Sequence, residues 1–142
     1  MNGNAELLNF IYQNSQMGVD TINKLIELVE DKSFKEHLNE ELKTYKEIHI
    51  KAKELLNFND YHEKGIGTVE KLRTYIMINI QTLANKTPSH IAEMLILGSN
   101  MGIIDAIKNI RKYNDAEKDI LNLMKQLQEF EENNVEKLKM FL

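Results

Sequence analysis

Apolar and small residues recur in steps of three and four along most of this chain, the period of an α-helix that turns one face toward a partner. From about Asn4 to Glu30 the stripe is Leu8, Ile11, Ser15, Gly18, Ile22, Leu25 and Val29. A second stripe, Leu38, Leu42, Tyr45, His49, Ala52 and Leu56, follows Ser33-Phe34-Lys35-Glu36. That tetrad has the form of a capping box, in which the Ser33 hydroxyl accepts from the backbone while Glu36 reaches back. Between Asn57 and Gly67 the pattern lapses into polar residues with two glycines, Gly65 and Gly67, which is loop chemistry. A shorter third helix is expected from Thr68 to about Asn85, on Val69, Leu72, Ile76, Asn79 or Ile80, and Leu83. Pro88 suits the first position of a fourth helix running to about Lys112, with Thr87 as its N-cap. The fifth, capped by Asn114 or Asp115, carries the stripe Met124, Leu127, Glu131, Asn134, Leu138 and Phe141.

Helices of roughly 25 residues are about 37 Å long, the length of a bundle, and a short connection makes the first two antiparallel. The expected fold is therefore all-α: one domain over residues 1–142, an antiparallel four-helix bundle with an additional shorter helix in the crossover. The fourth helix differs from the others because Met94 to Ile104 is apolar on nearly every face. Such a helix needs neighbours on more than one side.

Composition agrees and narrows the function. At 42% hydrophobic and 28% charged, with one Pro and six Gly, the 142 residues suit a folded helical domain rather than a disordered chain. The absence of cysteine excludes a disulfide framework, a thiolate zinc site and a cysteine nucleophile. A net charge of −4, with lysines interleaved among glutamates as in Glu40 with Lys43 and Glu47 with Lys51, argues against nucleic acid as a partner. The start of the chain lacks a basic segment followed by an apolar core, and the run Met94 to Ile104 is short for a bilayer. A cytoplasmic location without membrane insertion is the expectation.

Two long helices, a connection containing extra structure, and two more long helices resemble the ferritin-like superfamily, including its rubrerythrin-like members, over about Leu7 to Leu142. The resemblance implies a dimetal centre of iron or manganese, held by one Glu from each of two helices and a Glu-x-x-His pair from each of the other two. Residue by residue the ligand set is incomplete. His49 stands where the family's His would, but three residues before it is Lys46; Glu131 stands where the family's Glu would, but three residues after it is Asn134. The first and fourth helices offer Ser15 and Gly18, then Gly98, Met101 and Gly102, in place of acids, with Asp20 and Asp105 off the apolar line. His49 is expected to be a core histidine that donates to a carbonyl or side chain; the alternative is that His49, Glu131 and Asn134 face one another, as a hydrogen-bonded register or as a weak single-metal site. His90 and Glu93, in the first turn of the fourth helix, form a second candidate pair whose plainer role is at the surface, where an acid is favoured by the helix dipole.

Gly98 and Gly102 form a Gly-x-x-x-Gly step, and each glycine inside a helix costs about 1 kcal/mol relative to Ala. With Gly18 they are expected to serve close packing of the first and fourth helices, a homodimer seam, or a cavity. No Ser-His-Asp triad, P-loop or dinucleotide signature is present, and Gly65-Ile66-Gly67 lacks the residues of a phosphate cradle. The leading expectation is a bundle that acts by binding or oligomerisation, with no cofactor. The competing one is a metal-dependent oxidase, peroxidase or storage protein using His49, Glu131, His90 and Glu93, and a third is a carrier of a small ligand held near Ser15, Gly18, Gly98 and Gly102.

Overall fold

Asp31 is in extended backbone and its carboxylate accepts from the Phe34 amide at 2.8 Å, which caps the second helix two residues earlier than the Ser33 box predicts. With Asp31 as the N-cap its carboxylate reaches the amide three residues on, and Ser33 lies inside the first turn. Asp31→Ala should lower stability by about 1 kcal/mol while Ser33→Ala changes it little, as urea melts would show.

A computed structural model describes residues 3–62 and 69–142. The elements are α1 (Asn4–Leu28), α2 (Lys32–Phe58), α3 (Glu70–Gln81), α4 (Pro88–Lys112) and α5 (Lys118–Leu138), closed by a 3-10 turn (Lys139–Phe141). There is no strand among the described residues. Gly65, Gly67 and the expected start of the third helix at Thr68 lie outside them. Thr87 caps α4, accepting from the His90 amide at 3.3 Å, with Pro88 in the first turn as expected. Neither Asn114 nor Asp115 caps α5; Glu117 occupies that position, and its amide donates instead to the Asn4 side chain at 2.8 Å. A residue 113 positions away thus satisfies a helix end, which local sequence cannot show.

α1 and α2 form one tightly packed hairpin and α4 and α5 another. The start of α1 lies beside the start of α5, through Asn4 and Glu117. The Phe34 ring at the start of α2 lies 4.7 Å from Phe141, beyond the end of α5. Hence α1 runs parallel to α5, and α2 antiparallel to it. The connection from α2 to α4 spans the bundle and carries α3, which lies against α4 with Leu72 and Ile76 over Gly98.

α4 is 25 residues long, and over an 18-residue window its mean hydropathy reaches 1.2, enough by length and composition to cross a bilayer. The shorter run Met94 to Ile104 is only part of that helix, so the length argument made on the run alone does not extend to the whole. Its buried side, with Ile91, Ala92, Met94, Leu95 and Ala106, packs in the bundle. Leu97 and Ile104 on the outer side are half exposed.

Two apolar clusters fill the interior. One gathers Leu7, Leu8, Phe10, Ile11, Ile48, Ala52, Leu56, Ile120, Met124 and Leu127. The other gathers Ile22, Leu25, Val29, Phe34, Leu38, Ile91, Ala92, Leu95 and Leu138. Between them the same helices place buried Asn14, Ser15, Glu41, Ser99, Glu131 and Asn134. The core is thus two apolar blocks separated by a polar layer.

Candidate functional site

The polar layer is assembled from four helices. α2 contributes Glu41 and Tyr45, one turn apart on the same face. From α5 come Glu131 and Asn134, three apart; α4 adds Ser99 and α1 adds Asn14. The Tyr45 hydroxyl donates to Glu131 Oε1 at 2.6 Å, and Asn134 Nδ2 donates to Glu41 Oε1 at 2.6 Å. Each carboxyl keeps a second oxygen, Oε2, that is buried and without a hydrogen-bond partner. His37 Nε2 stands 3.6 Å from Glu41 Oε2, beyond hydrogen-bond length.

Two acids in one dry layer cannot both ionise cheaply. Burial pushes Glu41 up to about 8, and the neighbouring Glu131 carboxylate adds to the rise, against the opposing hydrogen bond from Asn134. Burial likewise pushes Glu131 up to about 7, with the Tyr45 and Ser99 hydroxyls opposing the shift. The Tyr45 hydroxyl is held well above its ordinary range, first by burial and then by the charges of Glu131 and Glu41. His37 is lowered, chiefly by burial, so it is a poor source of compensating charge. At neutral pH the pair therefore retains protons in the folded chain.

Above this pair lies a cavity of about 30 Å³, lined by Asn14, Gly18, Tyr45, Gly98, Ser99, Gly102, Glu41 and Glu131, with Leu72 and Ile76 of α3 as its cover. That space holds about two water molecules. Its glycines are closely approached by neighbours: a methyl group at Gly98 would meet Ile76 at 2.8 Å, and one at Gly102 would meet Asn14 Nδ2 at 3.2 Å. Asn14 Nδ2 is also buried without a partner. On the opposite side of Glu41 a surface groove between α2 and α5 is lined by His37, Glu40, Asn134 and Lys137.

The residues singled out in the sequence fall in different places. Glu131 and Asn134 are in the layer as expected, but they bond Tyr45 and Glu41 rather than His49. His49 is partly exposed and approaches Ser15 Oγ and the Tyr12 carbonyl, each at 3.2 Å, with its ring 4.5 Å from that of Tyr12. His90 is half-buried and Glu93 exposed near the start of α4. Among the described residues no three metal-capable side chains are grouped to hold an ion, so His49, Glu131, His90 and Glu93 do not converge on one centre. Gly18 is not a partner to Gly98 and Gly102 in a backbone contact. It accommodates the Tyr45 ring from α2, whereas Gly98 and Gly102 face α3 and Asn14.

Glu41 is the residue that the periodicity missed. The buried series Phe34, Leu38, Glu41, Tyr45, Ile48, Ala52 alternates steps of four and three, but so does the predicted stripe Leu38, Leu42, Tyr45, His49, Ala52, so spacing alone does not choose between Glu41 and Leu42. Leu42 and His49, on the predicted stripe, sit at the edge of the interface, half-buried. Comparison of the chain with protein-family models, with curated proteins and with solved structures gives no significant match.

Proposed function

We propose that this chain is a small-ligand-binding bundle of ferritin-like arrangement, whose site is the cavity floored by Glu41, Tyr45, Ser99 and Glu131. The observation that carries this is the coincidence of space and unsatisfied chemistry. Three glycines line the cavity, and the buried polar atoms Asn14 Nδ2, Glu41 Oε2 and Glu131 Oε2 belong to three of its other lining residues and have no hydrogen-bond partner. Leaving such groups unmade costs about 1–3 kcal/mol each, and unfilled interior volume adds a further cost. A bundle that served packing alone would not combine both costs in one place. The apolar walls with few convergent polar groups match the general form of a ligand pocket. The paired hairpins joined by a crossover bearing α3 support the ferritin-like arrangement, with the acids on α2 and α5 used as hydrogen-bonding groups.

The test is a panel of small molecules, ethylammonium, acetamide, ethanol and acetate, followed by NMR shifts of residues around the cavity. At least one should shift Ser99 and Tyr45 saturably in the natural chain and not in Gly102→Leu, whose side chain occupies the space. Circular dichroism of the variant should retain its helix content. The reading is overturned if no panel member shifts these residues, or if a folded Gly102→Leu chain responds as the natural one does.

A further inference from the structure

We infer that the outer face of α4 is a self-association surface, on which a second copy of this chain packs antiparallel about a two-fold axis between Asn100 and Met101. From Glu93 to Arg111 every exposed position of α4, namely Glu93, Leu97, Asn100, Ile104, Lys108 and Arg111, follows the last by three or four residues. At 3.6 residues per turn these six lie within about 80° of one another, so they form one stripe. Its apolar members are large and open to solvent, Leu97 at 50% and Ile104 at 53%, and half-buried Met101 and Ile107 flank them. Apolar positions in such steps are the form of a seam that faces another helix. The stripe is turned away from Gly98 and Gly102, which lie under α3 and line the cavity, so it stands without the cavity's function.

The order of residues along the stripe selects the occupant. Leu97 and Ile104 lie equally far from the point midway between Asn100 and Met101, and so do Glu93 and Lys108. A copy turned antiparallel about that point sets Leu97 against Ile104 twice and Glu93 against Lys108 twice. This is the self-complementarity that a two-fold interface requires. Neither Glu93 nor Lys108 has an ion pair among the described residues of its own chain. Parallel pairing would instead set each of these charges against its like, which is unfavourable. The two Asn100 side chains come together beside the axis, where one polar residue in an apolar seam fixes register. Arg111 falls opposite His90 and adds no ion pair. A lipid surface fits this face less well: helices that lie on membranes flank their apolar side with cations, whereas this stripe has an acid at one end, an amide at its middle, and a chain of net charge −4 behind it.

The experiment is sedimentation equilibrium of the full chain at concentrations up to about 500 µM, which reaches the weak association expected of a single helix face. The expected result is a monomer–dimer equilibrium whose Kd rises about tenfold or more in Leu97→Asp. Glu93→Lys alone should weaken it about fivefold, and Glu93→Lys with Lys108→Glu should restore it to within about threefold of the natural chain. Circular dichroism should show the same helix content in each variant. Because the chain has no cysteine, Asn100→Cys should give an oxidised dimer, whereas Glu93→Cys should not, its two copies standing about 22 Å apart along the helices. The inference is overturned by a chain that stays monomeric throughout, or by a dimer indifferent to Leu97→Asp. Failure of the charge swap to restore association, or crosslinking as ready through Glu93→Cys as through Asn100→Cys, likewise overturns it. Vesicles of phosphatidylcholine and phosphatidylglycerol supply the last arm: a monomeric chain that binds them, with Leu97→Asp abolishing the binding, makes this face a membrane surface and sinks the proposal.

Discussion

Thermal melts should show this chain losing stability as pH rises from about 5 to 8, against the usual behaviour of an acidic protein. The sign follows from where the protons are. Glu41 and Glu131 have folded-state values raised from 4.5 to about 8 and about 7, so the folded chain binds protons that the unfolded chain has released. Stability contributed by that difference is fully present below about pH 4.5 and declines until the higher of the two values is passed. For Glu131 alone a rise from 4.5 to about 7 corresponds to about 3 kcal/mol, or a fall of roughly 10 °C in Tm for a chain of this length. Because the two acids titrate as a coupled pair, the loss is spread over the whole window rather than split into two steps. Glu131→Gln, which keeps an oxygen for the Tyr45 hydroxyl, should be as stable as the natural chain at pH 5 and more stable at pH 8. A melting temperature that is flat or rising across this interval would show that the pair is hydrated or compensated in solution.

Gly18→Ala should be among the most damaging single-methyl additions in the chain, costing about 1–5 kcal/mol net of the better helix propensity of Ala. The added methyl carbon would lie 2.5 Å from the Tyr45 ring. That ring has little room to yield, because its hydroxyl is tied to Glu131 at 2.6 Å and its edge meets Phe130 at 4.9 Å, nearly perpendicular. Moving it combines overpacking, about 1–3 kcal/mol, with a broken hydrogen bond to a buried acid, about 1–3 kcal/mol. Ala has the better helix propensity by about 1 kcal/mol, so a helix free of this contact would be stabilised instead. Urea denaturation distinguishes the two signs directly. The double variant Gly18→Ala/Tyr45→Ala should recover part of the loss, since the clash is then gone.

How the site divides between legible and hidden can be seen in individual residues. Glu131 and Asn134 stood out because they interrupt an otherwise apolar stripe on α5, and both are buried as that interruption suggested. Their partners, Tyr45 and Glu41, were not legible, since nothing in one helix's sequence states which residue of another lies opposite. Glu41 was hidden by Leu42 beside it: hydrophobicity favoured the leucine, whereas the angle at which α2 meets α5 placed the acid inward. α1 was read as a one-sided stripe, yet its first half buries Asn4, Asn9, Gln13 and Asn14 along with Leu7 and Phe10. Polar residues that are surrounded by other helices carry no periodic signature, since period reports one face only.

Local energetics determined a great deal from the sequence itself. The helical period, the punctuation by Pro88 and Thr87, and the lack of strand or disulfide chemistry depend on interactions within a few residues, and these identify an all-helical chain and most of its segments. Tertiary structure alone decided which polar groups share an interior. Glu41 and Glu131 are 90 positions apart along the chain, and their proximity depends on how two hairpins pack. Their altered acidity, the cavity beside them and the strain latent at Gly18 exist only after that packing, because desolvation and steric exclusion are properties of neighbours in space.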